Sequence, residues 1–413
     1  MRVLYLSQYY PPEIGATQIR AYEMARGLVR AGHEVTIITE FPNHPTGVIP
    51  KSYRGKLFER ERDDGIDVIR VWVKASPRKT FGRRVAFYVS YMIMAILAGL
   101  FLVRGRIDAL YVTSPPLFVG GAGLVLNLMR RIPLFLEVRD LWPEAAVVLG
   151  ELRNPRYIGW ATWLEERCYK RAKRIVVTAD ESMNRLRERG VPAEKLVLIR
   201  NGTNVDLFKP QRERGALLRE ELGLQHNFVA LYAGLHGLAY DFDYLLEAVA
   251  ELQSVPDFHL LMVGDGPTKT ATVTRADELG LVNVTFLPSQ PRARIPDFFN
   301  AADVSLVPMR KPQIAGGFPV KVYDSMACAV PVIVCAEGET RAVVEESQAG
   351  LVTEPGDAAA LRAAIVRLYE ESALKQRLGE NGRKIAVARY SRQAQASELA
   401  SLLSKSVTES PGK

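Results

Sequence analysis

The sequence predicts an α/β protein built from two doubly wound parallel-sheet domains. Short apolar runs alternate with helix-like patterns along the chain, which is typical of parallel strands covered by helices. A polar stretch containing a proline, residues 206–214, separates two series of such runs. The length of 413 residues fits two or three domains. We therefore expect domains over residues 1–203 and 204–390 that face each other across a cleft.

Each half has its own predicted series of strands and helices. In the first half the apolar runs predict strands at Val3–Ser7, Val35–Thr39, Ile66–Val73, Ala109–Thr113, Leu134–Val138, Ile175–Thr178 and Leu196–Ile199. In the second half they predict strands at Val229–Ala233, His259–Val263, Val284–Leu287, Val304–Val307, Val330–Val334 and Gly350–Val352. Helical periodicity is clearest at Ile19–Arg30, Asp357–Leu378 and Gln393–Ser404.

Composition excludes several classes of protein. Hydrophobic residues make up 48% and charged residues 24%, values that exclude a disordered, collagen-like or low-complexity chain. The three cysteines show neither a disulfide framework nor zinc spacing, which favours a reducing compartment such as the cytoplasm. Residues 1–7 resemble a strand and lack a charged leader, so we expect no signal peptide.

The positive charge is concentrated in the first half of the chain. Residues 1–200 hold 32 of the 54 lysines and arginines and 20 of the 46 acidic residues, a net charge of +12, so the remainder carries −4. This asymmetry suggests an anionic partner, either nucleic acid or an anionic membrane, or else a solvated basic surface. Since no nucleic-acid motif accompanies the charge, we do not expect nucleic acid.

One uncharged segment is long enough to span a bilayer. Val85–Val103 contains no charged residue and is bracketed by arginines. It lies between two predicted strands, and a crossover must return to the same sheet, so we reject a transmembrane span. Two alternatives stay open: a wholly buried crossover helix, or a helix that dips one face into the membrane interface with Tyr88, Tyr91 and the flanking arginines.

Ligands of doubly wound sheets bind beyond the carboxyl ends of the strands, so the loops there are the candidate sites. The loop Gln8–Arg20 contains Gly15 at the start of a helix, where an anion could approach the backbone or the chain could simply turn. The segment Val263–Lys269 contains Gly264 and Gly266, a weak phosphate signal that a tight turn explains equally well. Neither loop has the dinucleotide fingerprint.

The segment Gly316–Val334 is the most informative. Gly316 and Gly317 can present bare backbone amides before a predicted helix. Lys321 and Asp324 follow three residues apart, on one helical face. They could bind an anion and a ribose diol, or could form a local ion pair.

Two further polar groups follow predicted strands. Arg139, Asp140 and Glu144 form a dense cluster that favours an acceptor-binding role over a set of salt bridges. His236 also follows a strand, although a lone histidine is usually not a ligand, and the other histidines form no metal set with it.

Several segments together resemble the retaining family-4 glycosyltransferases of bacteria, which have the GT-B fold. The resemblance covers nearly the whole chain, and it is strongest for the branch that makes O-antigen, capsule or exopolysaccharide, including acetylfucosamine transferases. Each segment is modest alone, but their order and spacing are specific. The segments are YYPPEIGATQIR, ARGLVRAGHEVTIIT, VRDLWPE, IRNGTNVDLF, VGDGP, VTFLPSQPRARIPDFFNAADVSLVP and VKVYDSMACAVPVI.

The resemblance implies roles for individual residues. It implies that Asp324 binds the nucleotide ribose and that Lys321 faces the diphosphate. The Gly15 loop, Arg139 and Asp140 would lie near the reacting sugar, and a last helix over residues 391–407 would pack back on the first domain. It implies an acceptor side with Arg20, Arg139 and Glu144, and a donor side with Gly234, His236, Gly264, Gly266, Phe286, Leu287, Gly316, Gly317, Phe318, Lys321 and Asp324.

The implied activity is metal-independent sugar transfer from a nucleotide-diphosphate donor, UDP-linked, with retention and without a cofactor. The implied acceptor is a saccharide on a polyprenyl diphosphate, which places the enzyme in the cytoplasm as a peripheral protein on the inner face of the membrane. The first acidic residue of the family's usual pair falls at Gly316. Alternatives are a sugar-nucleotide epimerase on the same fold and a nucleotide-sugar-binding protein without catalysis. A dehydrogenase is more remote, since the dinucleotide fingerprint is absent.

Overall fold

The computed structural model describes residues 1–13, 15–44, 46–78, 80–148, 150, 152–255, 257–311 and 318–408. The chain forms two compact units. Unit 1 comprises Met1–Arg200 and the chain from Gln393 on, and unit 2 comprises Asn201–Arg392. The predicted domain boundaries lie close to these junctions. The predicted cleft between the domains stays a prediction.

In its described residues, unit 1 has an eight-stranded sheet of order β3-β4-β2-β1-β5-β6-β7-β8, parallel except for the pair β3–β4. Its strands are β1 (Arg2–Leu6), β2 (Glu34–Glu40), β3 (Phe58–Asp63), β4 (Ile66–Val71), β5 (Ala109–Ser114), β6 (Leu134–Val138), β7 (Arg174–Val177) and β8 (Leu196–Leu198). Its helices are α1 (Ala16–Arg30), α2 (Phe81–Phe101), α3 (Leu117–Arg130), α4 (Glu144–Val148), α5 (Pro155–Arg171) and α6 (Asp180–Glu188).

In its described residues, unit 2 has a six-stranded sheet of order β11-β10-β9-β12-β13-β14, with parallel pairing throughout. The elements in chain order are α7 (Arg212–Leu222), β9 (Phe228–Ala233), α8 (Asp243–Ala250), β10 (Phe258–Val263), α9 (Lys269–Glu278), β11 (Val284–Leu287), α10 (Ile295–Ala301), β12 (Val304–Pro308), α11 (Lys321–Ala327), β13 (Val332–Cys335), α12 (Gly338–Ser347), β14 (Gly350–Thr353), α13 (Ala358–Glu370) and α14 (Ser372–Arg389). The following helix, α15 (Arg392–Thr408), belongs to unit 1 from Gln393 on. The two sheets confirm the predicted α/β class with two doubly wound domains.

The last helix packs on unit 1. Ala396, Leu399 and Leu403 of α15 are buried in the same apolar cluster as Tyr5 of β1. The contact is close: a Cβ on Gly27 of α1 would lie 2.1 Å from the Cβ of Ala396. A side chain at residue 27 would therefore push α15 away from α1.

Two elements differ from the sequence predictions. The edge strand β3 was not predicted because its sequence, FERERD, is charged instead of apolar, a composition that protects an exposed sheet edge. The predicted helix Asp357–Leu378 is wrong as one element. The non-helical backbone of Glu371 (φ −96°, ψ 75°) divides it into α13 and α14. Helical periodicity continues across this break, so the sequence pattern conceals it.

Helix α2 corresponds to the long uncharged segment. By length and composition it could cross a membrane, but the strands on either side of it in the chain, β4 and β5, lie in one sheet. The alternative of a wholly buried crossover helix is wrong, because Ile93, Leu97 and Phe101 of α2 are exposed, and 72% of Phe101 is exposed. Tyr91, expected at a membrane interface, is fully buried and donates a hydrogen bond to the carbonyl of Ile38 at 2.8 Å.

Candidate functional site

The candidate site in unit 2 lies where the loops after β9 and β10 meet the start of α11. Lys321 is the first residue of α11, a helix of seven residues. Because this helix is so short, the positive charge at the site comes mainly from the lysine side chain. A Cβ on Gly234, just after β9, would lie 3.0 Å from Nζ of Lys321. The chain therefore brings together residues almost 90 positions apart.

The Lys321 ammonium lies between two tyrosine rings. Its Nζ is 3.6 Å from the ring centroid of Tyr232 and 4.2 Å from that of Tyr240, both within cation–π range. Lys321 is only 9% exposed, and its Nζ has no hydrogen-bond acceptor among the described residues. Burial lowers the pKa of Lys321 well below its usual value, and the charge of Asp324 opposes this only in part. A bound anion would therefore give the Lys321 ammonium the hydrogen-bond acceptor that it lacks among the described residues.

This geometry separates the two interpretations of Lys321 and Asp324. Since Nζ of Lys321 has no partner in the described part of the chain, the predicted local ion pair is not formed. Burial raises the pKa of the Asp324 carboxyl, and the guanidinium of Arg392 is the strongest of the charges that oppose the rise. Arg392 itself donates to the carbonyl of Gly202 at 2.7 Å. Asp324 thus lies near Arg392, the residue after which the chain passes from unit 2 to unit 1, and Lys321 forms no ion pair with Asp324.

The glycines of the two loops allow these loops to touch. A Cβ on Gly264 (φ +140°) would lie 1.9 Å from the carbonyl oxygen of Gly234, and one on Gly266 would lie 2.3 Å from that of His236. The amides of Gly234 and Gly264 already donate to carbonyls of Val263 and Leu287. These glycines therefore pack the site, and the backbone N–H groups of Gly234 and Gly264 are not free for phosphate.

His236 is fully buried, with neither ring nitrogen hydrogen-bonded within the described chain. Burial, reinforced by the charges of Lys269 and Lys321, lowers its pKa to about 4. The imidazole is therefore neutral at physiological pH and packs against Tyr232 and Phe242 at ring-centroid distances of 5.3 and 5.1 Å. Its position supports packing of the site more than direct contact with a donor.

The other predicted donor residues lie around this centre with different roles. Phe286 and Leu287 end β11, the edge strand beside β10, and both are half-buried. Phe318 stacks on Tyr323 at 4.4 Å between ring centroids, which orders the approach to α11. Gly316 and Gly317 lie outside the described residues, so their predicted roles stay predictions.

In unit 1, the predicted reacting-centre residues follow β1 and β6. Gly15 directly precedes α1 with an extended backbone (φ 174°), so its conformation does not itself require glycine. Arg139 donates to Thr17 next to that loop, to Thr113 at 3.0 Å and to the Pro115 carbonyl at 2.5 Å. Burial raises the pKa of Asp140, and Arg139 opposes the rise. Arg139 therefore ties the loops after β1, β5 and β6 together.

Arg20, predicted on the acceptor side, lies in a buried network. Its Nε is 2.9 Å from Glu137, and its other nitrogens donate to the carbonyls of Ile199 and Arg200 at 3.1 Å. Glu137 also accepts from Tyr111 and Thr113. Arg20 is only 2% exposed and bonds within unit 1, so its predicted acceptor-side role stays a prediction.

Glu144 begins α4 and pairs with Arg185 of α6 at 3.2 Å, with both side chains partly exposed. The salt-bridge interpretation of Glu144 therefore describes its position better than the acceptor-binding interpretation.

The structure contains a buried carboxylate cluster, Glu13 and Glu40, that was not predicted from the sequence. Glu40 ends β2 and accepts 2.7 Å hydrogen bonds from Gln8 and Asn43, while Glu13 accepts from the amides of Asn43 and His44 at 2.6 Å. Burial, followed by the charge of Glu13, raises the pKa of Glu40 well above its usual value. The hydrogen bonds of this cluster hold the loop after β1. The one sequence feature that could have indicated the cluster is the presence of polar residues directly after two strands.

Comparisons with known proteins agree with this architecture. Residues 15–202 match the family described as "Glycosyl transferase 4-like domain", and residues 217–385 match "Glycosyl transferases group 1". A provisionally named colanic acid biosynthesis glycosyl transferase of Escherichia coli (strain K12) is 24% identical over 82% of this chain and 84% of that protein.

Solved structures show the same fold. Sucrose-phosphate synthase from Thermosynechococcus elongatus superimposes with a TM-score of 0.76 at 22% identity, covering 99% of this chain and 100% of that one. HepE from Anabaena, solved in complex with UDP-glucose, gives a TM-score of 0.74 at 20% identity over 98% and 100% of the two chains. The two family matches, which together cover most of the chain, show that it is a glycosyltransferase, which confirms the predicted enzyme class. The solved structures show that it has the GT-B fold.

The Arg20–Glu137 pair provides a test of the structural assignment. Arg20→Ala leaves Glu137 buried without its main counter-charge, so the free energy of unfolding of unit 1 should fall by about 3–5 kcal/mol. Arg185→Ala, which breaks the exposed pair with Glu144, is the control and should leave the free energy of unfolding almost unchanged. Urea unfolding followed by fluorescence measures both. Equal, small losses would contradict the buried role of Arg20.

Proposed function

We propose that this glycosyltransferase takes its sugar from a nucleotide-diphosphate donor whose phosphates are held by Lys321. The observation that carries the proposal is the buried ammonium of Lys321, which has no acceptor in the described chain. A buried charge without a partner is costly, and a bound ligand can supply the missing interaction. A diphosphate matches this requirement in charge and in its number of acceptor oxygens.

The departing diphosphate is the main chemical difficulty of such a transfer. In the proposed reaction the bond between the anomeric carbon and the diphosphate oxygen breaks, and the acceptor oxygen bonds to the same face of the sugar, with retention. The proton of the acceptor hydroxyl passes to the departing diphosphate. Lys321 stabilises the negative charge that develops on the diphosphate, in a site from which water is largely excluded. Because the lysine supplies this charge, the proposed reaction needs no metal ion or other cofactor.

The nucleotide part of the donor is proposed to lie beside Asp324. A carboxylate can accept hydrogen bonds from both ribose hydroxyls, and Asp324 is one helical turn from Lys321. UDP is the proposed nucleotide, since the HepE structure contains UDP-glucose. Phe286 and Leu287 at the end of β11 are the proposed neighbours of the base.

The acceptor is proposed to be a saccharide on a polyprenyl diphosphate, used in cell-surface polysaccharide synthesis such as O-antigen, capsule or exopolysaccharide. The E. coli relative named for colanic acid biosynthesis supports this pathway class. Arg139 and Asp140 are the proposed neighbours of the acceptor and the transferred sugar. The enzyme would then work at the cytoplasmic face of the membrane as a peripheral protein.

The exposed surface of unit 1 supports the membrane part of this proposal. The carboxyl ends of α2 and α3 lie side by side, because Arg130 donates to the carbonyls of Gly99 and Val103. We call the exposed apolar residues there, Leu97, Phe101, Leu128 and Met129, the α2–α3 apolar end. Arg104, Arg106 and Arg131, all exposed, lie close by in the chain. Exposed apolar side chains with exposed arginines close by in the chain match an anionic lipid surface.

The role of Lys321 is tested by replacing it with an uncharged side chain of similar shape. Lys321→Met should lower kcat/KM for the sugar nucleotide by about 100-fold or more, because the charge that stabilises the departing diphosphate is lost. The same change should leave the free energy of unfolding unchanged or raise it by about 1 kcal/mol, because a buried unpaired charge is removed. Nucleotide release from UDP-, GDP-, ADP- and dTDP-sugars, with and without polyprenyl diphosphate acceptors, measures the activity.

The control is Lys384→Met, which removes an exposed lysine of unit 2 and should change neither quantity. Lost stability together with unchanged donor kinetics for Lys321→Met would contradict the proposal. Conversion of the donor without an acceptor would indicate the epimerase alternative, and binding without turnover would indicate the non-catalytic one.

Membrane attachment is tested by sedimentation with vesicles of phosphatidylcholine alone or mixed with phosphatidylglycerol. The wild-type enzyme should prefer the anionic vesicles, and binding should weaken as salt increases. Phe101→Ser combined with Leu128→Ser should weaken binding at least about tenfold, because two apolar side chains no longer enter the interface. Leu217→Ser with Val282→Ser, exposed apolar residues of unit 2, is the control. Equal binding by the two double variants would refute this surface.

A further inference from the structure

Lys321 is surrounded by aromatic rings from two different segments. Tyr232 lies in β9, and Tyr240 lies in the loop between β9 and α8. The two rings are 5.5 Å apart and nearly perpendicular, with an interplanar angle of 78°. The hydroxyl of Tyr232 donates to the carbonyl of Leu235 at 2.6 Å, which fixes that ring. Together with the backbone of Gly234, the rings define a seat that the lysine head occupies.

The seat supplies the main favourable interaction that the ammonium makes within the described chain. A lysine side chain has four rotatable bonds and a point charge, so it needs a partner to hold one position. The faces of two aromatic rings attract a cation and favour its charged form. The hydroxyl of Tyr240 stays protonated, because burial raises its pKa to about 12. The contact is therefore between a cation and neutral rings.

We infer that Tyr240 is a positioning residue for the donor site: its ring, together with that of Tyr232, keeps the Lys321 ammonium charged and in place for the donor phosphates. Tyr232 is fully buried in the sheet, whereas Tyr240 is half-buried in a loop, so Tyr240 can be changed with less damage to the core. This inference rests on the proposed function of Lys321. It adds that aromatic rings, and not a counter-ion, keep the Lys321 ammonium charged and in place.

The other ionisable groups around the seat set the direction of its pH dependence. They are Tyr232 from β9, His236 from the following loop, Lys269 from α9 and Asp324 from α11 itself, which in turn lies near Arg392 and Arg292. His236 is neutral above its pKa of about 4, so it does not titrate with the lysine. Burial lowers the pKa of Lys321, and the rings oppose that effect. Loss of a ring therefore lowers the pKa of Lys321 further.

The experiment compares Tyr240→Phe, Tyr240→Leu and a series of fluorinated phenylalanines at residue 240. Fluorination weakens the negative face of the ring while nearly preserving its shape, so it separates cation binding from packing. The donor KM and kcat of the full-length enzyme are measured between about pH 6 and about pH 9.5, on the acid side of the ordinary lysine pKa. Calorimetric binding of UDP by each variant accompanies the kinetics.

Tyr240→Phe should behave as the wild type. In Tyr240→Leu, the rise of donor KM with pH should begin at a lower pH, and KM at the alkaline end should be about tenfold higher, with a smaller change in kcat. The fluorinated rings should shift the rise progressively with the number of fluorines. Tyr369→Leu, which removes a partly exposed tyrosine elsewhere in unit 2, should leave the pH profile unchanged.

Three results would count against the inference, and they differ from failure of the proposed function. Equal pH profiles for Tyr240→Phe and Tyr240→Leu, or no trend along the fluorinated series, would overturn the role of the ring while UDP binding stays normal. A change in kcat alone would do the same. Failure of the wild-type enzyme to bind UDP, GDP, ADP or dTDP would instead overturn the proposed function.

Discussion

The burial of one ammonium group without a counter-ion constrains the whole donor-side architecture of unit 2. An unpaired charge of this kind costs several kcal/mol unless its surroundings compensate. For Lys321, that compensation comes from the rings of Tyr232 and Tyr240, whose centroids lie within 4.2 Å of its Nζ. They do so without neutralising the charge, so it is still available to a ligand. A carboxylate in their place would stabilise the lysine better but would compete with the donor phosphates.

The neighbouring residues are arranged so that the seat fits. Gly264 must lack a side chain because the carbonyl of Gly234 occupies that space, and a side chain at Gly234 (φ +139°) would crowd the Lys321 ammonium. Lys269, the second cation nearby, donates to the carbonyls of Gly264 and Leu287 and to Asp265, so its charge stabilises the loops. Lys269 therefore bonds within the protein, and Lys321 is the cation that we propose for anion binding.

The sequence was sufficient for most of the sheet architecture because apolar runs report buried parallel strands directly. It also placed Lys321 correctly at the start of α11, since the residues around it form a recognisable segment. It could not predict the seat, because Tyr240 and Lys321 meet only through the fold and no local pattern links them. The sequence also did not reveal the burial of Arg20 or the strand β3. A charged residue in sequence gives no sign of burial by a partner such as Glu137, and a charged strand gives no apolar run.

The central claim is that Lys321 carries a depressed pKa in the empty enzyme and a normal one when a diphosphate is bound. The most direct measurement is an NMR titration of lysine side chains labelled at Cε, with Lys321→Met identifying the signal, in the absence and presence of UDP. The account predicts a midpoint clearly below the ordinary value for lysine, about 10.4, in the free enzyme, and a rise when UDP binds. An ordinary midpoint that UDP leaves unchanged would contradict it.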